Sequence, residues 1–294
     1  MTEERIGELF KIAEATLWAL FPVVTLLGLK GLPPITFAGI STLFAALFFI
    51  AWVTWRGEWH YMHNTVWKEI ALSTLFVGDL VYGIYFIGIS YTTAGNIAVL
   101  ALSQIFFAFL FLNILLGLEK STLQKYVGAL LMACGALIVL VPKGGVGFDG
   151  GALLVVLAMA FAPIGNWFAK RATQEVSPQF LMMVRSIVSG LFLLSIGVVF
   201  EHPSATGVTQ GVLLAVVFNG AMLLGLSKVL WLEAIKRIPI SKATSIGAIE
   251  PFLTLLYAYL LLAEVPTTIQ LASLVPLLIG LYLITRPHKE YVSQ

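Results

Sequence analysis

Six ionisable side chains sit inside long apolar stretches of this sequence: Glu14, Asp79, Arg185, Lys228, Glu233 and Glu250. If those stretches cross a bilayer, each charge costs about 2.5–3.5 kcal/mol at the centre on insertion scales. Such groups are retained where they face a cavity or a partner, so each is a candidate for holding a proton, an ion or a charged cargo. Asp79 ranks first. It is central in its stretch, and Tyr82, Gly83 and Phe86 follow at i+3, i+4 and i+7, the positions that share its face on an α-helix. A carboxylate, a hydroxyl, a glycine and a ring together suit an ammonium group or a proton. The plainer reading is a structural pair with Lys228 or Arg185.

Glu14 has Trp18 and Phe21 on its helical face. A carboxylate in apolar surroundings can load a proton near neutral pH; the plainer reading is an interfacial glutamate. Lys228 and Glu233 flank Trp231 near the end of their stretch, where a lysine either snorkels to the interface or meets a substrate carboxylate. Glu250 precedes Pro251, which removes a backbone donor and opens carbonyls to a cavity. Arg185 lies in the first turns of its own stretch. Uncharged polar residues extend the candidate lining: Asn96 with Ser103 and Gln104, Ser241 with Thr244 and Ser245, and Asn166 with Trp167. Each alone is as readily helix–helix glue.

Other chemistries find little footing. His60, His63, His202 and His288 all fall in connections or the tail, and Asp79 is the single aspartate within a stretch, so neither a Ser–His dyad nor an aspartate pair is expected. His60 and His63 read as solvated loop residues rather than metal ligands. The glycine-rich run from Gly144 to Gly151 lacks the Gly-Lys-Ser/Thr of a phosphate cradle and reads as a turn. Cys134 is the lone cysteine, so no intramolecular disulfide forms. No enzyme, metal or cofactor is expected. The expected partners are a small-molecule substrate, protons and the lipid bilayer, with no nucleic acid; the oligomeric state stays open.

The elements that must position these residues follow from composition. Hydrophobic residues make up 59% of the 294, charged ones 11%, and mean hydropathy is +0.96. A soluble domain needs more charge than that to cover its surface, and a bilayer resolves the conflict. At about 20 apolar residues per crossing, the chain divides into ten spans near 9–29, 35–55, 69–89, 94–116, 124–141, 151–169, 178–199, 208–235, 241–262 and 268–285. With both termini in the cytoplasm, thirteen basic residues fall on the inner side and only Lys30 and Lys143 on the outer. The positive-inside rule therefore predicts a multi-pass protein of the inner or plasma membrane in that orientation.

The chain also repeats. A shift of 145 carries Leu115 to Leu260, Glu119 to Glu264, Thr122 to Thr267 and Gly135 to Gly280; a shift of 144 carries Pro34 to Pro178. This predicts a first repeat over 1–142, an outer linker over 143–150 and a second repeat over 151–294. Five spans per half is an odd number, so the halves enter the membrane inverted, as in many secondary transporters with midplane sites.

On these residues the sequence resembles the drug/metabolite transporter superfamily, specifically the ten-span EamA-type exporters. The likeness is carried by Ile238-Pro239-Ile240-Ser241-Lys242-Ala243, by Glu250-Pro251-Phe252, by Leu260-Leu261-Leu262-Ala263-Glu264 and by Gly280. In the first half Tyr91-Thr92-Thr93-Ala94 and Leu115-Leu116-Gly117-Leu118-Glu119 play the same parts. The resemblance implies an all-α membrane protein of two inverted five-helix repeats that exports amino acids or related small metabolites by alternating access, with proton exchange through Asp79 or Glu14. Multidrug or organic-cation efflux is the alternative. The resemblance also implies that Arg185, in the seventh span, is a structural charge that ties helix ends together at the inner side. The substrate or coupling set expected from these readings is Asp79, Tyr82, Glu14, Trp18, Asn96, Gln104, Trp167, Lys228 and Glu250.

Overall fold

The computed structural model describes residues 2–60, 64–117, 122–141 and 149–285, and the described residues form helices without strands. Among the described residues, ten helices are long and apolar enough to cross a membrane. They are α1 (Glu3–Gly28), α2 (Pro34–Arg56), α3 (Thr65–Ser90), α4 (Ala94–Leu115), α5 (Leu123–Leu140), α6 (Gly150–Ala172), α7 (Pro178–Glu201), α8 (Gln210–Ile235), α9 (Lys242–Leu262) and α10 (Thr268–Thr285). These match the spans read from hydropathy, except that α1 begins at Glu3. Its polar first turns escaped a hydropathy reading because their carboxylates are neutralised across the fold. Glu3 meets Arg237 at 3.1 Å and Glu4 meets Lys242 at 2.6 Å. The expected linker over 143–150 lies almost wholly outside the described residues.

Three helices are interrupted. α1 breaks between Trp18 and Phe21, α9 between Gly247 and Glu250, and α4 at Leu102. In α1 and α9 the second segment opens with proline at its second position, Pro22 and Pro251. A proline there forfeits no intrahelical bond and stops the preceding segment from running on. The two breaks face one another: the Thr254 hydroxyl of α9 donates to the Ala19 carbonyl of α1 at 2.9 Å. Irregular backbone inside a membrane is tolerated where protein or a cavity satisfies it.

The repeat has a structural signature. π-helical segments run over Thr74–Val81 in α3, Leu110–Leu115 in α4 and Asn219–Leu226 in α8, and a shift of 145 carries the bounds of the first onto the third, while the second has no counterpart in α9. Helix pairing obeys the same exchange. α2 packs on α7, α5 on α10, α4 on α9, α1 on α8 and α3 on α6. Swapping the halves turns each pairing into itself or into another member of the set, as two inverted, interlocked repeats require. Small residues permit the close approaches. A Cβ built on Gly280 would lie 2.5 Å from the Gly128 carbonyl oxygen, and one on Gly128 would lie 2.8 Å from that of Gly280.

At the end opposite the N-terminus, acids close the helix starts. Glu201 accepts from the Ile35 and Thr36 amides at 2.8 and 2.7 Å, and Glu264 accepts from Ala94 at 3.0 Å. Burial pushes the Glu264 carboxyl above the ordinary glutamate range, against the opposing pull of the Gly95 and Ala94 amides. Large apolar side chains exposed along the helices, among them Leu130, Leu214 and Leu260, face the lipid.

Candidate functional site

A cavity of about 530 Å³ lies between the two halves, lined from α1, α3 and α4 on one side and from α6, α7, α8 and α9 on the other. That volume suits a small metabolite. Lys11, Glu14, Arg185, Lys228 and Glu250 give it a charged wall, and Phe21, Val81, Tyr85 and Ile97 an apolar one.

The charged wall is built around Lys11. Its ammonium is bonded to Glu14 one turn on in α1 and reaches Glu250 at the α9 break, 2.6 Å away. It also sits 4.9 Å from the Trp231 ring centroid. Lys11 and Glu14 are 2% and 4% exposed, so that pair is compensated away from solvent, while the Glu250 side chain is 25% exposed. Lys228 from α8 lies 3.2 Å from the Trp18 centroid, a cation–π contact. It is within electrostatic range of Glu14, Glu250, Lys11 and Arg185. Arg185 from α7 is 6% exposed and touches the Met182 sulfur at 2.8 Å. Trp18 in turn stacks on Phe21 at 4.8 Å, and Phe21 on Tyr85 at 6.0 Å.

Of the residues singled out in the sequence, Glu14, Trp18, Tyr82, Gln104, Lys228 and Glu250 line this cavity, and Arg185 joins them. Arg185 was expected to tie helix ends together; it presents its charge to the cavity instead. Lys228 does not snorkel, because the Trp18 ring holds it inward.

Three residues lie elsewhere. Asp79 is outside the cavity although Tyr82 is in it. The expected shared face assumed α-helical spacing, but i→i+5 bonding over Thr74–Val81 puts more residues in each turn and separates the two. Asp79 turns toward α7, where Ser189 is its polar neighbour, and its Oδ1 is buried without a hydrogen-bond partner. The alternative pairing with Arg185 or Lys228 does not form among the described residues. Asn96 is consumed at the far end of the fold: it donates to Thr92 at 3.1 Å and to Asp149 at 3.3 Å, and accepts from Gln270 at 2.8 Å. These bonds turn its amide away from the cavity, which the next two residues of α4, Ile97 and Ala98, do line. Trp167 packs outward, 4.9 Å from the Arg171 guanidinium and 6.3 Å from Phe111, while its neighbour Asn166 lines the cavity. Successive side chains on a helix point about 100° apart, which is enough to separate these two.

Glu233 also lies apart, paired with Lys236 at 2.7 Å and Arg237 at 2.6 Å. His60 is not merely solvated: its Nε2 accepts from the Ser177 amide at 3.1 Å, and His63 lies outside the described residues. Sequence reasoning missed Lys11 as a site residue, treating it as a flanking charge. The available signal was its place three residues before Glu14, the spacing of an ion pair on one helical face.

An interlocked ten-helix bundle with a charged cavity between its halves defines a membrane transporter. The chain belongs to the EamA-like transporter family, which it matches twice, over residues 5–141 and 149–286. It is 25% identical over 265 residues to YoaV of Bacillus subtilis, named as an uncharacterized transporter, with 86% of this chain and 87% of that protein covered. A second B. subtilis protein named in the same way, YvbV, is 24% identical over 262 residues, covering 87% of this chain and 84% of that one. A solved crystal structure shares the fold with a TM-score of 0.69 at 19% identity, covering 95% of this chain and 98% of that one.

Proposed function

We propose that this transporter exports amino acids or related small metabolites by alternating access, the two halves rocking about the central cavity. The observation that carries the reading is the cavity itself: it is lined from both halves, holds charges of both signs and offers aromatic and aliphatic surface beside them. A small molecule with a polar head and an apolar body fits such a lining. Proton exchange enters at the triad of Lys11, Glu14 and Glu250 in this reading. Protonating either carboxylate weakens its hold on Lys11, and the α1–α9 contact loosens at the two helix breaks. Both termini face the cytoplasm of a cell membrane, the orientation favoured by the basic residues gathered at one end. Organic-cation efflux gains no support from the cavity, since both of its carboxylates are already held by Lys11.

Proteoliposomes loaded with unlabelled phenylalanine and given the labelled amino acid outside test the proposal. Counterflow above that of empty vesicles is expected, faster across an imposed pH gradient. Absence of counterflow for phenylalanine and for each of the other protein amino acids sinks it.

A further inference from the structure

The charges of the cavity do not balance. Glu14 and Glu250 share one ammonium, that of Lys11. Lys228 and Arg185 have no carboxylate partner among the described residues. Lys228 rests on the Trp18 ring, and the polar contact of Arg185 is the Met182 thioether. A guanidinium offers five N–H donors and accepts nothing, and a thioether is a weak acceptor. At their formal charges, three cations and two carboxylates leave one positive charge in excess, and of the two cations without an ion pair Arg185 is the buried one, 6% exposed. A desolvated cation without a counter-charge is unfavourable, so the wall is complete only when an anion enters.

We propose that the cargo carries a carboxylate and no net positive charge, and that Arg185 and Lys228 receive that carboxylate. The planar fork of arginine matches two carboxylate oxygens at once, and the lysine adds a point charge beside it. The single excess charge fits a monoanionic head rather than a phosphate dianion. The body of the cargo lies along Phe21, Tyr85 and Ile97. For a zwitterion, Tyr82, Gln104 and Asn166 supply neutral acceptors for the ammonium. The proposal deepens the export reading and rests on it, with the binding chemistry separable from transport.

Four probes with one phenyl body decide it: phenylacetate, phenylalanine, phenethylamine and phenyl phosphate, titrated calorimetrically into the purified protein. Phenylacetate and phenylalanine are expected to bind at least tenfold tighter than phenethylamine. Arg185→Gln and Lys228→Gln are each expected to weaken phenylacetate tenfold or more, with Arg185→Lys recovering part of the loss. The proposal is overturned by phenethylamine binding as tightly as phenylacetate, by phenyl phosphate binding tighter, by no binding of any probe, or by glutamine variants that melt like the parent and bind phenylacetate unchanged. If the glutamine variants do not fold, the charge preference of the parent protein decides. Phenylacetate binding without exchange in vesicles removes the transport reading and leaves the anion seat standing. Exchange of phenethylamine in preference to phenylacetate does the reverse.

Discussion

At the residue scale, Lys11 holds the charged wall together. Removing one member of a buried ion pair leaves its partner uncompensated, at about 3–5 kcal/mol. Lys11→Met strands two carboxylates beside each other, so it is expected to lower stability by about that amount, measured by denaturant titration in detergent micelles. Adding Glu250→Gln to it should recover part of the loss, since one stranded charge is removed; no recovery would show that Lys11 and Glu250 are not coupled. The sequence exposed most of these groups, because a charge in an apolar run stands out against its surroundings. It placed two of them differently from the structure. Asp79 stood first on α-helical geometry that the π segment does not obey, and Lys11 was passed over because a lysine near a span end is usually an anchor. Which face a side chain takes depends on backbone hydrogen bonding, and hydropathy carries no record of that.

At the element scale, the ten spans were legible because lipid imposes both a length and a composition on every crossing. The breaks at Trp18–Phe21 and Gly247–Glu250 were half legible, through Pro22 and Pro251. The π segments left no mark in composition. The glycines left a clear one: Gly280 was picked out as a repeat position, and its contact with Gly128 gives the reason. Gly280→Leu must push α10 off α5, and its melting temperature is expected to fall by several degrees or the protein to be lost from the membrane. Gly211→Ala is the control, because the nearest atom to a Cβ there is 3.8 Å away. Equal melting of the two variants would mean that α5 and α10 do not meet as described.

At the scale of the whole molecule, the strongest pairings join one half to the other. Each half therefore leaves its best packing surface unmatched when alone. Residues 1–142 and 149–294 expressed as separate chains are expected to be degraded singly and to accumulate together as a complex that co-purifies through a tag on either. Stable accumulation of one half by itself would contradict the interlocked arrangement. The duplication was legible in scattered identities, and the matched π segments strengthen it, but the interlocking was not, since no sequence pattern states which of ten similar helices touch.

Symmetry of the frame does not extend to its charges. At the spacing of 145 that aligns the π segments, Lys228 corresponds to Gly83, Glu14 to Met159 and Lys11 to Val156. Twin halves with identical linings would make the two openings mirror images of equal energy. Here the ionic wall belongs to one side of the pseudo-axis, which removes the degeneracy. Under the proposed rocking of the halves, the empty protein has a preferred resting direction, and loading works against or along that lean.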